Sequence, residues 1–118
     1  MKDENPIQTK SEDFAIRICK LYEFLKGQKK ENVISKQILR SGTSVGANVA
    51  EALYAESNDD FIHKLKIARK EANETRYWLR LLYRTDKLSE VEYNSINADC
   101  QELIKILSSI ILSSEKKK

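Results

Sequence analysis

Two glycines four residues apart, Gly42 and Gly46, stand in a stretch with helical periodicity, Arg40-Ser41-Gly42-Thr43-Ser44-Val45-Gly46-Ala47-Asn48-Val49-Ala50-Glu51-Ala52. Each glycine costs a helix interior about 1 kcal/mol relative to alanine, so something must offset them. At 3.6 residues per turn, Ile38, Gly42, Val45, Val49 and Ala52 share one face, and Leu39, Gly46, Ala50 and Leu53 share the adjoining flank. Only Arg40, Ser44, Asn48 and Glu51 form a polar stripe. A helix this thin and apolar is expected to be buried and closely approached from more than one side. Ser41 to Ser44 is also good turn chemistry, but the run from Ala47 to Ala52 favours a helix.

The other elements follow from caps and periodicity. Residues 1–10 are polar, contain Pro6 and read as a flexible arm. Ser11, followed by Glu12 and Asp13, starts a first helix with the stripe Phe14, Ile18, Leu21 and Leu25, ending between Gly27 and Lys30. Ser35 caps the second helix, which runs to about Ala55. Ser57 starts the third, where Phe61, Leu65, Ala68, Ala72, Thr75, Leu79 and Leu82 step by four and three as a bundle seam does. Its small central residues, Ala68 and Ala72, are the expected partners of Gly42 and Gly46. Ser89 to Glu92 is a capping box opening a fourth helix with the seam Tyr93, Ile96, Cys100, Leu103, Leu107 and Ile110. Residues 114–118 read as a flexible tail.

The fold expected is therefore all-α, an antiparallel up-down-up-down four-helix bundle forming a single domain over residues 1–118. Ile104, Ile106, Ile111 and Leu112 add apolar surface outside the fourth seam, more than one core should absorb. Burying a Leu or Ile is worth about 1.5 to 3 kcal/mol, so such a surplus favours a homo-oligomer. Cys19 and Cys100 lack metal-type spacing and read as buried free thiols. Lys2, Asp3 and Glu4 interrupt any secretory leader, and no run is long enough to span a bilayer, so a cytoplasmic protein without a membrane is expected.

Little points to catalysis. His63 is the sole histidine, and Glu71 with Glu74 lacks the Glu-x-x-His signature of a di-iron bundle. No phosphate loop, dinucleotide fingerprint or nucleophile motif occurs. The chain is read as a non-enzyme with no metal and no cofactor.

Charge on the third helix is more informative. Lys66, Arg69, Asn73, Arg76, Arg80 and Arg84 step by three or four into one stripe beside the seam, with Glu71, Glu74 and Trp78 on the opposite flank. A solvated face with local pairing is the ordinary outcome, but four arginines suit phosphate. Tyr77 and Tyr83 border the stripe and could stack on unpaired bases. The net charge of +3 permits nucleic acid without demanding it. A second reading sets the arginine flank of one subunit against Glu71, Glu74 and Trp78 of the next, closing a ring. On the second helix, Asn48 is expected to bond across to a neighbour, and Arg40 with Glu51 to tie that helix to its surroundings.

The stretch from Arg40 to Ala52, with Phe61, Leu65, Ile67, Ala68, Glu71, Glu74, Trp78 and Leu79 and the Ile/Leu-rich fourth helix, resembles a known family. It is that of small bacterial four-helix-bundle proteins first recognised as reading frames inside intervening sequences of 23S ribosomal RNA genes. The family includes accessory variability-determinant proteins of diversity-generating retroelements. The resemblance implies a homopentameric ring and, for retroelement members, a basic surface that binds RNA or DNA and engages a reverse transcriptase. Ala52 stands where many relatives have glycine, and +3 is modest beside the retroelement proteins. The intervening-sequence type is the better match.

Overall fold

Asn5 and Pro6 already start a helix. In the computed structural model, which describes residues 5–117, the Asn5 carboxamide oxygen accepts the Ile7 N–H at 3.1 Å and Pro6 occupies the first turn, where its missing N–H costs nothing. Helix α1 spans Pro6–Gly27, α2 Ile34–Ala52, α3 Asn58–Arg84 and α4 Glu90–Glu115. The expected start at Ser11 is thus corrected: Ile7 is buried, and Ser11 lies inside the helix, itself buried against α2. Residues 1–4 of the expected arm lie outside the described residues. The other end shifts likewise. α4 continues to Glu115, Ser114 is buried, its carbonyl accepts from Asn58 Nδ2 at 3.2 Å, and Glu115 pairs with Lys66 at 2.9 Å.

The helices pack in ring order, α1 on α2, α2 on α3, α3 on α4, with a looser return contact between α4 and α1. This is the antiparallel up-down-up-down four-helix bundle, 47 Å along its longest axis. Ile18, Leu25, Ile38, Val45, Val49, Leu65, Leu79, Leu82, Leu103 and Leu107 fill its centre. Two seam positions differ from expectation by one residue. Ile62 rather than Phe61, and Ile111 rather than Ile110, is buried, while the displaced residues pack partly buried against the core.

Starting α2 falls to Glu31, not Ser35. The Glu31 carboxylate accepts from the backbone N–H of Val33 (3.2 Å), Ile34 (3.0 Å) and Ser35 (2.6 Å), while the buried Ser35 hydroxyl has no partner among the described residues. Burial opposes ionisation of Glu31, but these N–H bonds outweigh it and hold the carboxyl below its ordinary value. The helix stops at Ala52, three residues short of the expected Ala55. The capping box at Ser89 and Glu92 forms as the sequence indicates.

The glycines face α1, not Ala68 and Ala72. A Cβ on Gly42 would lie 2.7 Å from Ile18 Cγ1, and one on Gly46 would lie 3.2 Å from the Ser11 carbonyl oxygen. The side of α2 toward α3 is instead joined by Ser41 and Thr75, whose buried hydroxyls are 2.9 Å apart. Both interfaces of α2 therefore use small residues, each against a different neighbour.

Less apolar surface is left over than the sequence suggests. Ile111 joins the core, Ile104, Ile106 and Ile110 pack partly buried against it, and of that run only Leu112 stays more than half exposed. Cys100 is buried, with its thiol 3.2 Å from the Ala72 carbonyl and pushed by burial up to about 12, whereas Cys19 is exposed, contrary to expectation. Among the described residues no helix is long and apolar enough to cross a membrane.

The glycine contacts make a direct test. Gly42→Ala gains about 1 kcal/mol of helix propensity but forces a methyl into a β-branched core side chain, an overpacking cost of about 1 to 3 kcal/mol. Thermal unfolding is expected to show a lower Tm for Gly42→Ala and a smaller change for Gly46→Ala.

Candidate nucleic-acid interface

Arginines along α3 share one face by periodicity, but their neighbours divide them. At the N-terminal end Lys66 pairs with Glu115, and Arg69 donates from Nη1 to Ser108 Oγ at 3.3 Å, so both are engaged by α4. Further along, Arg76, Arg80 and Arg84 are exposed, and among the described residues none of them forms an ion pair.

Between α3 and α4 runs a groove of about 450 Å³. Asn73, Arg76, Tyr77 and Arg80 line it from α3, and Tyr93, Asn97 and Gln101 from α4, with no carboxylate among them. A smaller recess adjoins it at Arg76 and Gln101 and adds Lys105. Asn97 and Gln101 are one helical turn apart on α4, an amide pair that is legible in the sequence beside the apolar seam. Tyr83, expected to be free for stacking, is already stacked on Tyr93, with ring centroids 4.7 Å apart and planes 10° from parallel. Tyr77 is 55% exposed and meets Trp78 edge-on, with centroids 5.0 Å apart.

The opposite flank of α3 is committed within the protomer. Arg40 of α2 bonds Glu71 at 3.2 Å and also Glu74, and Trp78 Nε1 donates to Glu74 at 3.0 Å. Arg40 and Glu51 both tie α2 to its surroundings as expected, Arg40 through these acids and Glu51 by pairing with Lys64 of α3 at 3.0 Å. Asn48 does not reach a neighbouring helix; its Nδ2 donates to the Ser44 carbonyl of its own helix at 2.9 Å. Glu71, Glu74 and Trp78 thus already have partners, and an arginine from another subunit would have to share them with Arg40. His63 is exposed, and among the described residues no three or more His, Cys, Asp and Glu side chains are grouped to hold a metal ion.

Fold and surface together define a class: a small antiparallel four-helix bundle whose third helix carries arginines, unpaired among the described residues, beside an amide-lined groove. The chain belongs to the 23S rRNA-intervening sequence protein family, whose sequence profile matches residues 3–109. Among solved structures it is similar to a protein of unknown function from the S23 ribosomal protein family of Bacteroides thetaiotaomicron VPI-5482. The two are 58% identical with a TM-score of 0.90, over 91% of this chain and 96% of that one. No curated protein matches the sequence.

The bond from Arg40, then that from Trp78, holds Glu74 below the ordinary carboxylate value of 4.5. A depressed folded value means that the stability from Glu74 is in place above 4.5 and is lost as pH falls through the folded value. Trp78 is the only tryptophan and reports this event directly. Its emission is expected to change with a midpoint below 4.5, and Glu74→Gln to remove that transition, as read by fluorescence titration.

Proposed function

We propose that this protein is a non-enzymatic, oligomeric helical bundle that binds RNA through the arginine face of α3. The observation that carries this reading is the lack, among the described residues, of ion-pair partners for Arg76, Arg80 and Arg84, beside a groove lined by no described carboxylate. Elsewhere Arg17 pairs with Asp99, Arg40 with Glu71 and Glu74, Lys64 with Glu51, and Lys66 with Glu115. Leaving three arginines together without an internal acid keeps their charge available for phosphate. Membership of the family supports RNA, ribosomal RNA in particular, as the polymer. A place in the cytoplasm follows from that reading.

Assembly belongs to the same proposal. Ile16, Tyr54, Val91 and Leu112 are each at least half exposed, and the family resemblance implies a pentamer. Light scattering at micromolar concentration is expected to give about five times the chain mass of 13.7 kDa, and a monomer would overturn this part.

Arg76→Glu combined with Arg80→Glu is expected to abolish RNA retention in a mobility-shift assay and to leave the oligomer intact. Loss of the oligomer instead would assign these arginines to a subunit contact. With three arginines on phosphate, log affinity for a single strand should fall against log salt with a slope of about −2. Co-purification with a polymerase that persists at high salt would favour a protein-binding ring, such as a reverse-transcriptase accessory subunit, over RNA binding.

A further inference from the structure

We propose that the groove between α3 and α4 takes a single unpaired nucleotide, so that the surface selects single-stranded over duplex RNA. The inference rests on the RNA-binding reading and adds the substrate form. At about 450 Å³ the groove falls in the size range of small-ligand sites, from about 300 Å³ upward. A duplex meets proteins along its outer phosphates and shows base edges only within its own grooves. A cleft recessed between two helices has nothing to insert there, but it can receive a base that has left the stack.

Its walls match a nucleotide's phosphate, base edge and base face. Arg76 and Arg80 stand on one side as phosphate donors. Asn97 is half-buried, and its side chain makes no hydrogen bond among the described residues. Asn73 spends its Nδ2 on the Arg69 carbonyl and keeps its oxygen as an acceptor. A carboxamide sets a donor beside an acceptor, the pattern that pairs with base edges. Tyr93 and Tyr77 supply aromatic surface from opposite helices, Tyr93 braced by Tyr83 and Tyr77 by Trp78. A base entering here meets rings already held in place, so little side-chain ordering remains to be done.

The test compares a labelled strand of about ten nucleotides, within the usual single-strand site size, with the same sequence annealed to its complement. Binding is read by fluorescence anisotropy at one fixed salt concentration. The single strand is expected to bind at least tenfold more tightly than the duplex. Tyr77→Ala removes an exposed ring and should weaken single-strand binding about tenfold, the scale of one base stacked on an aromatic, without changing duplex binding. Asn97→Ala is expected to act in the same direction. Equal binding of both forms, unmoved by Tyr77→Ala, would overturn this inference and leave RNA binding through the arginines standing. Failure of both forms to bind would overturn this inference and the RNA-binding reading together. Titration with adenosine monophosphate separates the sources of the nucleotide. Saturation by the mononucleotide at the concentration where the strand binds supports the groove chemistry but assigns it to a free nucleotide.

Discussion

Close approach of α1 to α2 is the contact on which the rest of the bundle depends. Without a side chain at Gly42, Ile18 can lie where a Cβ would stand, and without one at Gly46 the Ser11 backbone can pass the same helix. That lets α2 be packed from two sides. Its other small-residue face meets α3 through Ser41 and Thr75, and Arg40 reaches over to Glu71 and Glu74. These links set the rotation of α3 about its axis. Once Glu71, Glu74 and Trp78 are turned toward α2, periodicity puts Arg76, Arg80 and Arg84 on the far side, beside α4.

Charge is divided according to that rotation. Acids on α3 are used internally, where the guanidinium of Arg40 offsets them. Bases at the N-terminal end of the stripe are met by Glu115 and Ser108 of α4. Beyond them, α4 presents amides and a tyrosine instead of carboxylates, so the remaining arginines keep their full positive field. A net charge of +3 understates this local arrangement, because it is the small difference between 21 basic and 18 acidic residues spread over the whole chain.

Helix number, order and most of the seams are legible from spacing alone, since Leu65, Ala68, Ala72, Thr75, Leu79 and Leu82 are all buried. The glycines are also legible as close-approach points, but not their partner. Periodicity says that a face is inward, and two inward neighbours fit the same face of α2. Boundaries are misread where the stabilising group lies outside the helix it serves. Glu31 caps α2 from the preceding loop, and Asn58 of α3 holds the last turn of α4. Asn5 with Pro6 carries a start signal that is lost when proline is taken only as a breaker. The arginine stripe follows from sequence, whereas its split into engaged and unpaired members depends on α4. Asn97 and Gln101 escape notice because α4 draws attention to its isoleucines.

The seam between α1 and α4 differs in kind from the other three. It is the loosest, and its named polar links are exposed ones: Lys10 to Glu102, and Arg17 to Asp99 and Ser95. Such links contribute about 0 to 1 kcal/mol each and are weakened by salt. Near its other end the same seam widens into a mainly apolar furrow lined by Leu21, Phe24, Leu88 and Ile96. All the seams but α1–α2 thus carry named polar links, but only at α1–α4 do such links meet the thinnest packing. Raising ionic strength weakens those links where the least packing backs them, so salt bears hardest on the seam across α4 from the arginine groove.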